Sequence, residues 1–262
     1  VVDGTIENGA SPVIVISNSL DYFAQVNPGI LENSFIHDAQ VNIASNGRTW
    51  RLKEYSASVG SGTTVYFWTA DPADPSGPLL GELDTRYDLS IGTGGKTYTS
   101  TTTIPNITRK VDSLWWEPVT GIADTNKVRM YIKATDRPGY GDYIRYFTKT
   151  NDGDFFPGVN SVFDDQIIDG TTYVVPIDKA TPPNQQRKDQ DAWFNRGDSV
   201  VLKLCNIDKA TYNFWRTYEF SRASVGNPFS SPTKVASNIS SGGLGYFGGY
   251  AAQFHKLVIP SR

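Results

Sequence analysis

The sequence predicts a mostly β protein organised as two sandwich-like units, and three observations lead there. Thr, Val, Ile, Tyr and Trp recur in short runs, and Gly, Pro, Asn and Asp punctuate those runs. A single segment, near residues 208–222, carries apolar side chains at helical spacing instead. At 262 residues the chain favours two domains over one, and it is long enough to bury a sizeable core without a disulfide or a metal.

In order, strands are expected near Val1–Ile6, Val13–Ser17, Ala39–Ile43, Thr49–Tyr55, Thr64–Trp68, Thr85–Ile91 and Tyr98–Ile104. Asn46-Gly47 lies between Val41-Asn42-Ile43 and Trp50-Arg51-Leu52, and it supplies the two positive-φ residues of a type I′ hairpin. Tyr87, Leu89 and Ile91 alternate with Asp88 and Ser90, as a half-buried strand does. This spacing fits a sandwich of immunoglobulin or transthyretin type. Pro105-Asn106 closes it, giving an N-terminal domain over 1–108 and a β-rich C-terminal domain over 109–262.

The second domain is read as antiparallel β. Its strands are Val111–Trp116, Val128–Thr135, Tyr143–Thr150, Tyr173–Ile177, Ser199–Asn206 and Tyr246–Leu257. Asn151-Asp152-Gly153-Asp154 and Asp169-Gly170 are turns. Asp208 is placed to N-cap a helix to about Arg222, with Ile207, Ala210, Phe214, Trp215 and Tyr218 as a packing stripe.

Charge and cysteine usage narrow the function. The net charge is −3 and basic residues are scattered, so the stripe that nucleic acid or an anionic membrane requires is missing. Cys205 is the one cysteine, expected to pack as a small hydrophobe beside a partly exposed face with Val201 and Lys203. No apolar run approaches the roughly 20 residues that span a bilayer. The chain opens on Val1-Val2-Asp3-Gly4 inside an expected strand, without an initiator methionine, so a missing leader says nothing about location.

No catalytic constellation is visible, and the chain is read as a non-enzyme without cofactor or metal. Its two histidines, His37 and His255, fall in different expected domains and make no His-Glu-x-x-His spacing; His255 is expected to face solvent at the end of the last strand. No Gly-x-Ser-x-Gly elbow or phosphate-cradling glycine loop occurs. Asp164, Asp165 and Asp169, with Asp152 and Asp154, form the densest acidic cluster, read as solvated turns because alternating calcium spacing is absent. Asp71-Pro72 and Asp74-Pro75 read as fixed turns, and Arg196-Gly197-Asp198 as a tight turn entering a strand.

Two loops carry more aromatic surface than turns need: Asp154-Phe155-Phe156-Pro157-Gly158 and Asp191-Ala192-Trp193-Phe194-Asn195. Either they fold back as lids on the core, or Phe155, Phe156, Trp193 and Phe194 contact a glycan, a peptide or a protein partner. The long connection from Asp21 to Asp38 is a weaker candidate of the same kind.

Several features taken together resemble a known family. They are Val1-Val2-Asp3-Gly4, Pro12–Ser17, Ala39–Ile43, Val111-Asp112-Ser113-Leu114, Asp136-Arg137-Pro138-Gly139, Asp142–Arg145, Asn227-Pro228-Phe229, Asn238-Ile239 and Gly243-Leu244-Gly245-Tyr246-Phe247. The set is similar to the domain-of-unknown-function family numbered 4249, found in Bacteroidota. That resemblance implies a secreted outer-membrane lipoprotein, held to the membrane only by a lipid anchor outside this sequence. It also implies a neighbouring TonB-dependent receptor as partner, and it brings no catalytic residues with it. The expected function is therefore a non-catalytic binding or accessory module in nutrient capture. The alternatives are a carboxylate-dependent glycan or peptide hydrolase and a structural envelope protein.

Overall fold

A computed structural model describes residues 1–20, 28–59, 62–75, 77–182, 189–224 and 234–261, and the chain is mostly β. It divides into two compact units, Val1–Pro105 with Asn213–Ala251, and Asn106–Tyr212 with Ala252–Arg262. Each unit is thus discontinuous in sequence, whereas consecutive domains were expected.

The first unit contains β1 (Val2–Glu7), β2 (Val13–Ile16), α1 (Pro28–Glu32), β3 (Gln40–Ser45), β4 (Arg48–Arg51), β5 (Lys53–Val59), β6 (Thr63–Thr69), β7 (Thr85–Thr93) and β8 (Lys96–Ile104). The second contains β9 (Lys110–Pro118), β10 (Lys127–Thr135), β11 (Tyr143–Thr150), β12 (Phe156–Asp164), β13 (Thr172–Ile177), β14 (Phe194–Asn195) and β15 (Ser199–Ile207). The elements α2 (Lys209–Ser224) and β16 (Gly245–Val258) contribute to both.

In the first unit β4-β3-β7-β8 is an antiparallel sheet. Asn46 and Gly47 turn β3 into β4 with φ 49° and 76°, as the hairpin signal requires. The inward residues Val41, Ile43, Tyr87, Leu89, Ile91 and Ile104 share one buried cluster with Ile6, Ile14, Ile16 and Trp68 from β1, β2 and β6. Thr49–Tyr55 is not one strand. It breaks at buried Leu52, whose N–H bonds the Val41 carbonyl, and β5 then pairs with β6 instead of β3.

The glycine-rich end of the chain is explained by β16, which runs parallel to β1 with Gly245 opposite Val2. Gly245 has φ 103°, and a β-carbon there would overlap the Val2 backbone. A β-carbon on Gly249 would lie 2.5 Å from the Thr103 carbonyl oxygen. Close backbone approach therefore sets that composition. Phe214, Trp215 and Tyr218 of α2 cluster with Tyr246, ring centroids 4.4 Å apart for Phe214 and Tyr246, and Trp215 donates to the Tyr250 hydroxyl at 2.9 Å. Asp208 caps the helix as expected, its Oδ1 accepting the Thr211 N–H at 2.8 Å.

In the second unit β10 is paired on both sides, with β9 on one and β13 and β14 on the other, and β11 lies between β12 and β15. Val128, Met130, Ile132 and Ala134 of β10 form a buried cluster with Ile144, Tyr146, Val200, Leu202 and Leu204. β12 was missed because Pro157-Gly158 reads as a turn. Among the described residues β12 pairs with β11 alone, through Phe156, Pro157 and Val162 to Asp164 with a register shift between, an edge position that tolerates a proline, and a β-carbon on Gly158 would strike the Tyr146 ring.

Two side chains sit otherwise than expected. Cys205 is fully buried, in register with Arg145 of β11. His255 is half-buried and bonds Gln253 at 3.0 Å, and it is Phe254 that is 54% exposed. Burial pushes the His255 imidazole below its ordinary value. Asn227-Pro228-Phe229, Ser231-Pro232 and the first part of the Asp21–Asp38 connection lie outside the described residues.

Candidate functional site

One end of the second unit holds a cleft of about 370 Å³, within the size range of small-ligand sites. Its lining includes Lys127, Asn151, Asp154, Phe156, Lys179 and Trp193. Each comes from a different local cause. β11 ends in a turn at Asn151, whose φ is 54°. Asn151 Oδ1 accepts the Ser199 N–H at 2.9 Å, and its Nδ2 donates to Asp198 Oδ1 at 3.1 Å. That clamp holds the turn which carries Asp154 and leads into Phe156.

Lys127 opens β10, and Lys179 follows β13, which is antiparallel to β10 with Met130 opposite Ile177. The register therefore brings both lysines to the same end of the sheet. The Ala180 N–H donates to the Thr148 hydroxyl at 2.8 Å, and the Lys179 N–H to the Ala192 carbonyl at 2.9 Å. These two bonds fix the segment beside the 3₁₀ turn Asp189–Ala192, from which Trp193 follows.

The four aromatic candidates separate. Phe156 and Trp193 both line the cleft and are partly buried. Phe155 is absent from its wall and packs instead on Phe254, centroids 5.8 Å apart, with the Lys203 ammonium 6.0 Å from its ring. Phe194 is fully buried in the core beneath, so it cannot be a contact residue. Trp193 lies in the bend before β14, whereas Phe194 is the strand's first residue and pairs with buried Val128 of β10. Lys127, Lys179 and Asn151 escaped the sequence reading because nothing local links residues so far apart along the chain.

The acidic cluster also needs correction. Asp152 and Asp154 are exposed, but Asp165 is buried, its Oδ2 accepting the N–H groups of Gly141 at 2.8 Å and Asp142 at 3.0 Å. Asp164 accepts the Tyr212 hydroxyl, and Asp169 accepts the Gly139 N–H. Asp136, Asp142 and Asp165 bring one carboxylate oxygen each within 4.8 Å of the others, the geometry among the described residues that comes nearest to a cation site.

The countercharge there is Arg109. It is fully buried, and its Nε and Nη2 donate to Asp136 Oδ1 at 3.1 and 2.8 Å. The pair links the start of β9 to the end of β10, and Asp136 Oδ2 and Arg109 Nη1 have no hydrogen-bond partner among the described residues. Burial pushes the Asp142 carboxyl up from 3.8; Asp136 and Asp165 add to the rise, and the Thr108 hydroxyl and Arg109 oppose it. The folded state thus holds that proton to higher pH than the unfolded chain. Asp142's contribution to stability is complete below pH 3.8 and is lost as pH rises through its folded value. Asp142→Asn should therefore gain stability relative to the native chain as pH rises from about 4 to 7. Urea denaturation of both proteins across that range checks it, and a constant difference would refute it.

Asp198 of Arg196-Gly197-Asp198 is buried and accepts the Asn195 N–H at 2.9 Å, and Gly197 has φ 89°, so the tripeptide is a turn, as expected. No helix among the described residues is long and apolar enough to cross a membrane. No curated protein matches the chain. The family model described as a domain of unknown function, DUF4249, matches residues 1–254, and the chain belongs to that family.

Proposed function

We propose that this protein is a non-catalytic capture module of the bacterial cell envelope, an outer-membrane lipoprotein that binds a small nutrient and works beside a TonB-dependent receptor. The observation that carries the binding half is the cleft, where Phe156 and Trp193 stand among Lys127, Lys179, Asn151 and Asp154 on a framework fixed by hydrogen bonds from backbone N–H groups to the Thr148 and Asn151 side chains. Aromatic walls with a few placed polar groups are what a ligand site of this size needs. The receptor half rests on the sequence features shared with the family.

Purifying the lipidated full-length protein from solubilised outer membranes tests the second half. A TonB-dependent receptor is expected in near-equal amount; its absence under mild detergent refutes the partnership. A carboxylate-dependent hydrolase is the competing reading, because Asp154 and Asp191 both line the cleft. A general acid of that chemistry has to be drawn out of water, and Asp154 is exposed. Turnover of a glycan or peptide that is lost in Asp154→Asn would favour the enzyme.

A further inference from the structure

We propose that the cleft takes a zwitterionic, amino-acid-like ligand, a short peptide with a free carboxylate and a free ammonium. The inference rests on the capture reading and adds the chemistry of what is captured.

Lysine is a residue that normally keeps its head in water. Lys127 and Lys179 are both half-buried at the cleft, and neither forms an ion pair with any described residue. The two ammonium groups reach one end of the sheet, and neither is ion-paired with the Asp154 or Asp191 carboxylate that lines the same cleft, so both can donate to a bound anion. A carboxylate with two oxygens suits two such donors. Asp154 is likewise without an ion-pair partner among the described residues and sits on the turn after β11. It offers the opposite charge to a ligand ammonium.

The neutral polar groups serve the fold first: the Asn151 amide accepts from Ser199 and donates to Asp198, and the Thr148 hydroxyl accepts the Ala180 N–H. Each keeps spare hydrogen-bonding capacity, so it is the charge of both signs in the lining that selects a zwitterion over a plain sugar. The charged heads remain available, with Phe156 and Trp193 as apolar walls for a side chain.

Native mass spectrometry of the full chain tests this with a mixed-sequence tripeptide pool in three forms, free, C-terminally amidated and N-acetylated, and with maltotriose and trigalacturonate. The free pool should bind, with amidation weakening binding about tenfold or more, as expected for loss of a charge-assisted contact. The double variant Lys127→Met with Lys179→Met should lose the preference for free over amidated peptide. Asp154→Asn should lose the preference for free over acetylated peptide. Loss of these preferences is a readout that a merely structural role would not move. Equal binding of all three peptide forms, or binding of a saccharide alone, overturns the zwitterion and leaves the capture reading standing. Binding of none of the probes overturns both, whatever the receptor purification shows.

Discussion

Replacing Arg109 with alanine should lower folding stability by about 3–5 kcal/mol, the cost of breaking a buried ion pair by removing one partner. Arg109 and Asp136 side chains are 0% exposed, so the carboxylate left behind cannot recover its hydration. Asp136 Oδ2 already lacks a hydrogen-bond partner among the described residues, and Arg109 provides both donors to Oδ1. Asp142 and Asp165 would then face Asp136 without a cation between them. The double variant Arg109→Met with Asp136→Leu should recover part of the loss, because the bare buried charge is gone while Asp142 and Asp165 still lack Arg109. Urea denaturation at neutral pH measures all three proteins. A single variant within about 1 kcal/mol of the native chain would mean the pair is reached by water.

Phe194→Ala should cost about 3–5 kcal/mol of stability and leave ligand selectivity intact, since it empties a core position. Phe194 is fully buried against Val128, in register with it across β14 and β10. Trp193→Ala should do the reverse. It should weaken binding of the free tripeptide pool by about tenfold or more, the scale of an aromatic contact in a site, with a smaller loss of stability, because Trp193 is only partly buried. Thermal melting and native mass spectrometry on the same two proteins separate the effects. Retained binding in Trp193→Ala would remove the aromatic wall from the site.

The strands and the helix were legible because their signals are local. Alternation in Thr85–Ile91, the Asn46-Gly47 turn and the Asp208 cap each involve residues within a few positions of one another, where sterics and near hydrogen bonds decide. The same locality hid β12, because Pro157-Gly158 is turn chemistry until a neighbouring strand and the Tyr146 ring give each residue a place. His255 and Cys205 were misplaced for a related reason. Period two separates two faces but does not say which one is covered.

The mostly β character was readable from the sequence itself, since composition, turns and periodicity are properties of neighbours along the chain, and the family was readable from the resemblance of motifs such as Gly243-Leu244-Gly245-Tyr246-Phe247. Tertiary structure alone decided the rest. It returned residues 213–251 to the unit that begins at Val1, brought Lys127 and Lys179 together with Asp154, and buried Phe194 while turning Trp193 to the cleft. Pairing across long loops sets those neighbours, and its free energy comes from surfaces that exist only once the chain has closed on itself.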